Sequence, residues 1–432
     1  MNVINRIVLL LSLVLAVNGV HSEELTIEIT RGIADAASPI AVVPFSAQVP
    51  TSEDMAAIIA ANLQRSGRFE PLSPGSYPFR PSELSQVNFD DWRVLQVDNL
   101  VVGQIRPGAA GNYTVQFQLA NIFEGKPLLQ RTYNVKPQQL RRLAHIISDL
   151  IYQALTDERG AFDTRIAYVT ENAGAGAGEY ALMVADSDGY NPQIVLRSTE
   201  PLMSPSWSPD GNRLAYVSFE NRQMQIVVQD VFSGSRRVVA AYPGINGAPS
   251  WSPDGRRLTM VLSRDGNPEI YVASVAGGGV LRLTNNSAID TEPVWTPDGS
   301  NIIFTSDRGG GPQLYQVSAA GGQPKRLTFE GDYNARPSVS PDGRYVAMVH
   351  RRAGVFYIAV LDRQNGQIRV LTEGGLDESP SFAPNGRMVI YATSQRGGRG
   401  VLAAVSVDGR VRQRLQLRSS DVREPAWSPF GG

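Results

Sequence analysis

Cysteine is absent from the 432-residue sequence, and its absence excludes several classes of protein. Without thiols there is no disulfide framework, no thiolate nucleophile and no lipid-bearing cysteine at the end of a leader. Histidine is nearly as scarce, since only His21, His145 and His350 occur. Metal centres built on imidazole and thiolate are therefore not expected. A Ser-His-Asp triad would have to use His145 or His350, because His21 lies in an N-terminal leader.

Long apolar runs are also missing, so no transmembrane helix is expected. The longest run, residues 7–17, has about 11 residues, whereas a helix that spans a bilayer needs about 20. It follows Arg6, and residues 20–22 place small side chains at the −3 and −1 positions of a cleavage site. Residues 1–22 are therefore predicted to be a secretory signal peptide. Without cysteine, the exported chain fits a bacterial periplasm better than a disulfide-bonded extracellular scaffold.

Net charge and catalytic motifs exclude further classes. The formal net charge is −1, so no global field points to nucleic acid or to an anionic membrane surface. The sequence holds no G-x-S-x-G elbow, no G-x-x-x-x-G-K-[ST] loop and no H-E-x-x-H motif. Nothing in it predicts an enzyme or a cofactor.

What the sequence has instead is a repeat. The motif "WSPDG" occurs at residues 207–211 and 251–255 and returns as "WTPDG" at 295–299. Degenerate copies start at Val339, Phe382 and Trp427. The copies are 44, 44, 44, 43 and 45 residues apart, a period typical of a propeller blade. Pro, Asp and Gly in this phrase suit a tight turn between two strands. Each unit contains four strand-like pieces, such as those at 292–295, 301–306, 313–318 and 325–328.

The two ends of the repeat array are complementary halves of one blade. Residues 165–170 begin a unit that no WSPDG phrase precedes, and residues 424–432 begin a unit that nothing follows. If the last strand pairs beside the first, residues 163–432 form six blades of about 45 residues and the ring closes. A linear solenoid is the alternative, but it would need polar capping repeats. We therefore predict a six-bladed β-propeller with four-stranded blades, closed by the C-terminal strand.

A different domain is predicted ahead of the ring, over residues 33–156. Residues 51–67 have the pattern of an amphipathic helix, with Thr51 and Asp54 in capping-box-like spacing, and residues 138–156 that of a second helix. Together with strand patterns, these helices predict a small α/β domain, joined to the ring by a polar linker at 157–162. The strands are predicted at 40–45, 99–105, 113–123 and 128–135.

The segment after the leader, residues 23–32, has the pattern of an isolated strand. Leu25, Ile27 and Ile29 alternate strictly with polar residues. Two interpretations stay open, namely an edge strand of the chain's own fold and a strand that adds to a partner's open edge. Because a terminal segment can be released cheaply, it could switch between the two.

One face of the predicted ring collects mixed charge. Strand direction reverses at each turn, so the loops before the first strands share a face with the second-to-third connections, opposite the SPDG turns. Mixed charge around a channel mouth favours protein docking over a small-molecule pocket. The charged residues of these loops are Asp290, Glu292, Arg336, Asp377, Glu378, Arg423 and Glu424, with Arg264, Arg308, Arg351 and Arg352 in the second-to-third connections.

The whole chain resembles the TolB family, the periplasmic component of the Tol–Pal cell-envelope system of Gram-negative bacteria. The resemblance includes the leader, "EELTIEITRG" (23–32), "RIAYVT" (165–170), the six repeats and "EPAWSPFGG" (424–432), although the fifth repeat departs as "FAPNG" and the last as "WSPFG". It implies a non-enzymatic scaffold between inner-membrane TolA and the outer-membrane lipoprotein Pal, for envelope integrity and outer-membrane constriction in cell division. Colicin-type bacteriocins would use the same channel mouth.

The resemblance also implies site residues, and neither a cofactor nor a metal. Pal binding is extended beyond the family's loops to Arg336, Asp377 and Glu378. The residues implied for TolA binding are Glu24, Leu25, Thr26, Ile27, Glu28, Ile29, Thr30, Arg31 and Gly32. Those implied for Pal binding are Ile245, Asn246, Gly247, Ala248, Asp290, Thr291 and Glu292.

Two alternatives of another class stay open. WSPDG blades also cover the peptidase domain in relatives of prolyl oligopeptidase, but those need an attached α/β-hydrolase domain and a nucleophile elbow. A propeller-type enzyme or ligand-binding protein could instead hold a cation in a carboxylate-lined central channel. The scarcity of histidine argues against a metal enzyme of this kind.

Overall fold

A computed structural model describes residues 26–31, 37–172, 179–394, 398–416 and 421–431. The predicted signal peptide and the predicted site residues Glu24, Leu25 and Gly32 lie outside these ranges. The described chain consists of an N-terminal α/β domain and a six-bladed β-propeller, which confirms the predicted fold class. None of the helices in the described ranges combines the length and the apolarity needed to cross a bilayer.

The N-terminal domain is a mixed sheet with helices on both faces. Helices α1 (Met55–Arg65) and α3 (Leu140–Thr156) pack on one face, and the short α2 (Phe89–Arg93) packs on the other through Trp92. The first strand of the chain, β1 (Thr26–Arg31), does not join this sheet. The sheet contains β2 (Ser38–Val42), β3 (Ser46–Ala47), β4 (Phe69–Pro71), β5 (Asn99–Pro107), β6 (Tyr113–Asn121) and β7 (Lys126–Val135), in the order β4-β2-β5-β6-β7 with β3 beside β5.

The first helix starts later than its sequence pattern predicts. Its N-cap is Asp54, whose carboxylate accepts a hydrogen bond from the amide of Ala57 at 3.0 Å. The start at Thr51 is therefore wrong, because Asp54 already satisfies an amide of the first turn. The helix ends at Arg65, and Gly67 beyond it adopts the left-handed φ of 72° that favours glycine.

Six four-stranded antiparallel sheets form the propeller, and in each the innermost strand lines the central channel. The first blade combines β8 (Arg165–Asn172), β9 (Glu179–Asp186) and β10 (Gln193–Ser198) with the last strand, β31 (Asp421–Trp427). The second blade contains β11 (Leu202–Trp207), β12 (Arg213–Ser218), β13 (Gln225–Asp230) and β14 (Arg236–Ala240). The third contains β15 (Asn246–Trp251), β16 (Arg257–Leu262), β17 (Glu269–Ser274) and β18 (Val280–Arg282). The fourth contains β19 (Asp290–Trp295), β20 (Asn301–Ser306), β21 (Gln313–Ser318) and β22 (Lys325–Arg326). The fifth and sixth contain β23 (Tyr333–Val339), β24 (Tyr345–Arg352), β25 (Val355–Asp362), β26 (Ile368–Val370); and β27 (Glu378–Phe382), β28 (Met388–Thr393), β29 (Val401–Ser406), β30 (Val411–Gln416).

The repeated phrase makes both a turn and a contact between blades. In the first copy the amide of Gly211 donates to the carbonyl of Ser208 at 2.9 Å, and Gly211 has a φ of 68°. The tryptophan before the turn can also bond to the preceding blade, since the indoles of Trp207 and Trp251 donate to the carbonyls of Ala426 and Ser206, both at 3.1 Å. The phrase thus fixes the turn and the spacing of neighbouring blades together.

The ring is closed by the C-terminal strand, as predicted. β31 pairs antiparallel with β8, and Arg165 exchanges two hydrogen bonds with Ser428, at 2.8 and 2.9 Å. The indole of Trp427 donates to Thr164 at 2.9 Å. One blade is therefore assembled from the two ends of the propeller sequence.

Strand β1 adds to the propeller rather than to the N-terminal domain. It pairs antiparallel with β30 over six residues, from Thr26 opposite Gln416 to Arg31 opposite Val411. It thereby becomes the outermost, fifth strand of the sixth blade. Of the two open interpretations, the structure contains the edge strand, but on the sheet of the other domain.

The two domains meet at a buried polar cluster. Arg141 of α3 pairs with Asp188 after β9 at 2.5 Å, and Arg65 donates to the carbonyl of Ser187 at 3.0 Å. His145 lies beneath them, with its Nε2 3.7 Å from Asp188. Among the described residues, His145, Asp186 and Asp188 are near enough to one another to hold a metal ion. Because Arg141 already pairs with both Asp186 and Asp188, at 3.7 and 2.5 Å, we assign the cluster to interdomain packing.

We expect His145 to make the stability of the protein depend on pH. Burial lowers the pKa of its imidazole to about 4, although Asp188 opposes that shift. The unfolded chain takes up this proton near pH 6.5 and the folded chain near 4, so stability decreases as the pH falls between these values. The wild-type free energy of unfolding should fall by up to about 3 kcal/mol more than that of His145→Gln from pH 7 to pH 4. Denaturant titrations of both proteins at several pH values measure this, and parallel profiles would contradict it.

Candidate protein-docking surface at the channel mouth

Every innermost strand carries the same backbone irregularity. Its register with the second strand slips, and the residue before a proline adopts a left-handed φ of 46–54°. Such bulges redirect side chains, and the conformation is uncommon for residues other than glycine. These residues all line the central channel, and we call them the bulge ring: Ser204, Ala248, Glu292, Arg336, Ser379 and Glu424.

The channel is a cavity of about 540 Å³ that runs between the two faces of the disk. Its lining extends from Ile245 and Thr291 at the mouth to Pro209 and Pro429 of the turns on the opposite face. The prolines that follow the bulge ring lie below it. A group that enters from the mouth therefore passes the ring before it reaches these prolines.

A single arginine pairs with two glutamates of the ring. The guanidinium of Arg336, in the fifth blade, lies 3.1 Å from Glu292 of the fourth blade and 3.2 Å from Glu424 of β31. Although burial alone would lower it, Glu424, Glu292 and Glu378 raise the pKa of Arg336 above its ordinary value. Arg336 therefore stays charged and ties together blades on three sides of the mouth.

An apolar rim surrounds the charged ring. Ile245, Ile289 and Leu376 each lie three residues before a ring position, and Ile289 and Leu376 are 51% and 50% exposed. Phe329, in the loop before β23, and Met203, which precedes Ser204 in β11, are exposed as well. Of these residues, the sequence predicts only Ile245 as a contact, although the repeat spacing places Ile289 and Leu376 at the same position as Ile245.

Three of the residues implied for Pal binding are buried supports of their loops. The side-chain amide of Asn246 donates to the carbonyl of Tyr242 at 2.6 Å, and the carboxylate of Asp290 accepts from the guanidinium of Arg308 at 2.6 Å. Asp377 accepts from two threonine hydroxyls, each at 2.6 Å. All three lie two residues before a ring position, where the side chain turns inward. They hold the loops in place but offer little surface to a partner.

The other residues implied for Pal binding face the channel or its mouth. Ala248, Glu292 and Arg336 belong to the bulge ring, and Gly247 and Thr291 line the same cavity. Glu378 precedes Ser379 of the ring and is half-buried. The two predicted loops thus converge with the more distant Arg336 on one opening, and Glu378 lines a smaller pocket beside it, next to β31.

Exposed apolar side chains next to a charged ring favour protein docking, because both apolar patches and arranged charges mark protein-binding surfaces. Fold and site together define a class of protein, a propeller with an α/β domain ahead of it and a docking surface at its channel mouth. Within that class, the chain belongs to the TolB family. The family model of the TolB amino-terminal domain matches residues 25–128, and that of the TolB beta propeller domain matches residues 152–431.

Individual relatives agree with this assignment. The Tol-Pal system protein TolB of Thioalkalivibrio sulfidiphilus is 64% identical over 409 residues, which cover 94% of each chain. That of Nitrosococcus oceani is 64% identical over 407 residues, covering 94% of this chain and 93% of the other. The crystal structure of TolB from Acinetobacter baumannii matches with a TM-score of 0.87 at 43% identity, covering 94% of this chain and 100% of that one. The chain therefore has a role in the Tol–Pal system.

Proposed function

We propose that this protein is a non-enzymatic periplasmic scaffold that holds the lipoprotein Pal at its channel mouth and TolA through residues 24–32. The observation that carries the proposal is the mouth itself, where the bulge ring and the apolar rim face outward together. Colicin-type bacteriocins would compete for the same opening. The predicted signal peptide at residues 1–22 supports a periplasmic location.

The distribution of reactive groups supports a scaffold over an enzyme. His145 lies in the domain interface, and His350 is buried with its Nδ1 2.8 Å from Asn334. In the described part of the channel, Glu292 and Glu424 share one arginine, which leaves them poor general bases. A carboxylate-held cation, the alternative from the sequence, would have to compete with Arg336 for these oxygens.

The position of β1 supports the proposed TolA site. It is attached along one edge only, and it forms the outer edge of the sixth blade. A strand held by one ladder at a chain terminus opens at low cost. Once released, it could add to an open sheet edge of TolA, which is a recurrent mode of peptide recognition.

Two arginines placed at the mouth should abolish Pal binding. Ala248 belongs to the bulge ring and Thr291 precedes another ring position, so Ala248→Arg with Thr291→Arg fills the opening with bulk and charge. Calorimetric titration with the soluble periplasmic domain of Pal should show an affinity loss of about 100-fold or more, since each tenfold needs only about 1.4 kcal/mol.

The matched control carries the same two added charges on the opposite face. Ala276 and Ala320 lie in exposed turns between third and fourth strands. Ala276→Arg with Ala320→Arg should bind Pal like the unmodified protein. Equal binding by the mouth variant would remove the mouth from the proposal, and no binding by the unmodified protein would remove Pal.

A further inference from the structure

Two neighbouring carboxylates at the mouth lack a cation of their own among the described residues. Asp377 is buried and accepts hydrogen bonds from the hydroxyls of Thr372 and Thr393, which are neutral donors. Glu378 is half-buried, and burial raises the pKa of its carboxyl above the ordinary value. A carboxylate that is partly desolvated and unpaired costs free energy that a nearby cation would offset.

The cations near Glu378 are already engaged. Arg336 is shared by Glu292 and Glu424, at 3.1 and 3.2 Å. Arg423 lies 3.5 Å from Glu171 and 3.4 Å from Asp421. Burial is the largest cause and raises the pKa of Glu378, Arg336 lowers it in part, and the neighbouring Glu424 carboxylate raises it again, so that it stays above its ordinary value. Among the described residues, Glu378 therefore shares Arg336 and Arg423 with other carboxylates and forms no ion pair of its own, so a further cation would have to come from a partner.

Docking at the mouth would deepen this imbalance. Glu378 stands between the exposed Leu376 of the rim and Ser379 of the bulge ring. A partner that covers both neighbours also covers Glu378 and removes its remaining water. An unpaired carboxylate inside an interface is strongly unfavourable, whereas a complementary charge turns the same position into a source of specificity.

We infer that the partner bound at the channel mouth presents a lysine or arginine side chain to Glu378. The inference rests on the proposed function, because it needs a protein docked over this surface. Glu378 would then select a basic partner surface, while Ala248 and Thr291 supply the space into which that surface fits. Asp377 beneath it strengthens the local negative potential without touching the partner.

The first test compares Glu378→Gln with an isosteric control on the same face. Glu330 lies in the exposed loop before β23, so Glu330→Gln removes the same charge from the same face without a desolvated position. Titration with the soluble periplasmic domain of Pal should show an affinity about tenfold lower for Glu378→Gln and about unchanged for Glu330→Gln. Thermal unfolding of both variants checks that each is folded.

A second measurement separates pairing from protonation. Covering Glu378 without a partner cation would force it to bind a proton, so titrations in buffers of different ionisation enthalpy would reveal proton uptake. The charged groups that face Glu378 are Arg336, Glu424 and Arg423. If Glu378 pairs with a basic side chain, its carboxylate takes up no proton when the partner binds at pH 7. Proton uptake should then be the same for the unmodified protein and for Glu378→Gln. Uptake that disappears in this variant overturns the inference.

The outcomes separate a failure of the proposed function from a failure of the contact at Glu378. Unmodified protein that fails to bind the Pal domain removes the proposed function itself. Unmodified protein that binds, with Glu378→Gln binding equally well, leaves Pal as the partner and overturns only the basic contact at Glu378.

Discussion

Removing residues 421–432 is expected to unfold the propeller. The seven-residue strand β31 lines the channel in the first blade, and five of its residues pair with β8. Its loss removes Val422, Ala426 and Trp427 from the cores of neighbouring blades and exposes the apolar side chains that they cover. At about 1.5–3 kcal/mol for each large apolar side chain, the cost is about 5 kcal/mol or more. Calorimetry should show the melting temperature lowered by about 10 °C or more, or no cooperative transition at all.

A shorter truncation provides the control. Removing Gly431 and Gly432 keeps β31 with its hydrogen bonds between Arg165 and Ser428, so this chain should melt like the full-length protein. A synthetic peptide of residues 421–432, added to the long truncation, should restore part of the transition. Equal melting temperatures for the long and short truncations would mean that the ring does not depend on its closing strand.

The propeller was predictable because its evidence in the sequence is repeated. A period of 43–45 residues with turn chemistry in every copy specifies the blade, and the complementary ends specify closure. The start of α1 was predicted less well, because Thr51 and Asp54 are both good caps and only the packing of the helix decides between them.

The channel mouth was predicted as a set of loops but not residue by residue. Sequence alternation assigned equal roles to Asn246 and Ala248, yet the first is buried and the second lies in the bulge ring. The sequence does not predict the bulge, because no single residue type marks the left-handed position before proline, which is occupied by Ser, Ala, Glu or Arg. Position in the repeat would have separated the roles, because all six residues two places before the ring are buried.

The sequence does not decide which sheet edge β1 pairs with, and the reason is physical. A strand with one apolar face and free backbone edges fits any open sheet edge of suitable register, and the sequence of β1 does not specify which. The structure pairs it with β30, at a blade that also contributes Glu378 and Ser379 to the mouth. β1 would therefore be released from the outer edge of this sheet, whereas a partner at the mouth would contact the inner edge of the same sheet.

Locking β1 onto β30 should abolish TolA binding if TolA takes the released strand. Thr30 lies directly opposite Arg412 in the antiparallel pair, a spacing of about 4.5–5.5 Å that suits a disulfide. Because the chain contains no cysteine, Thr30→Cys with Arg412→Cys can form one bond only. The surface ion pair that Arg412 makes with Glu373, whose side chain is 83% exposed, costs little to lose.

The same molecule serves as its own control in two redox states. The oxidised form should bind the periplasmic domain of TolA at least about 100-fold more weakly than the reduced form, because a covalently held strand cannot leave its sheet. Pal binding at the mouth should be retained in both states, which would show that the bond has not distorted the propeller. Equal TolA binding by the oxidised form would mean that TolA recognises β1 while it is docked, or another surface entirely, and strand release would no longer be part of the mechanism.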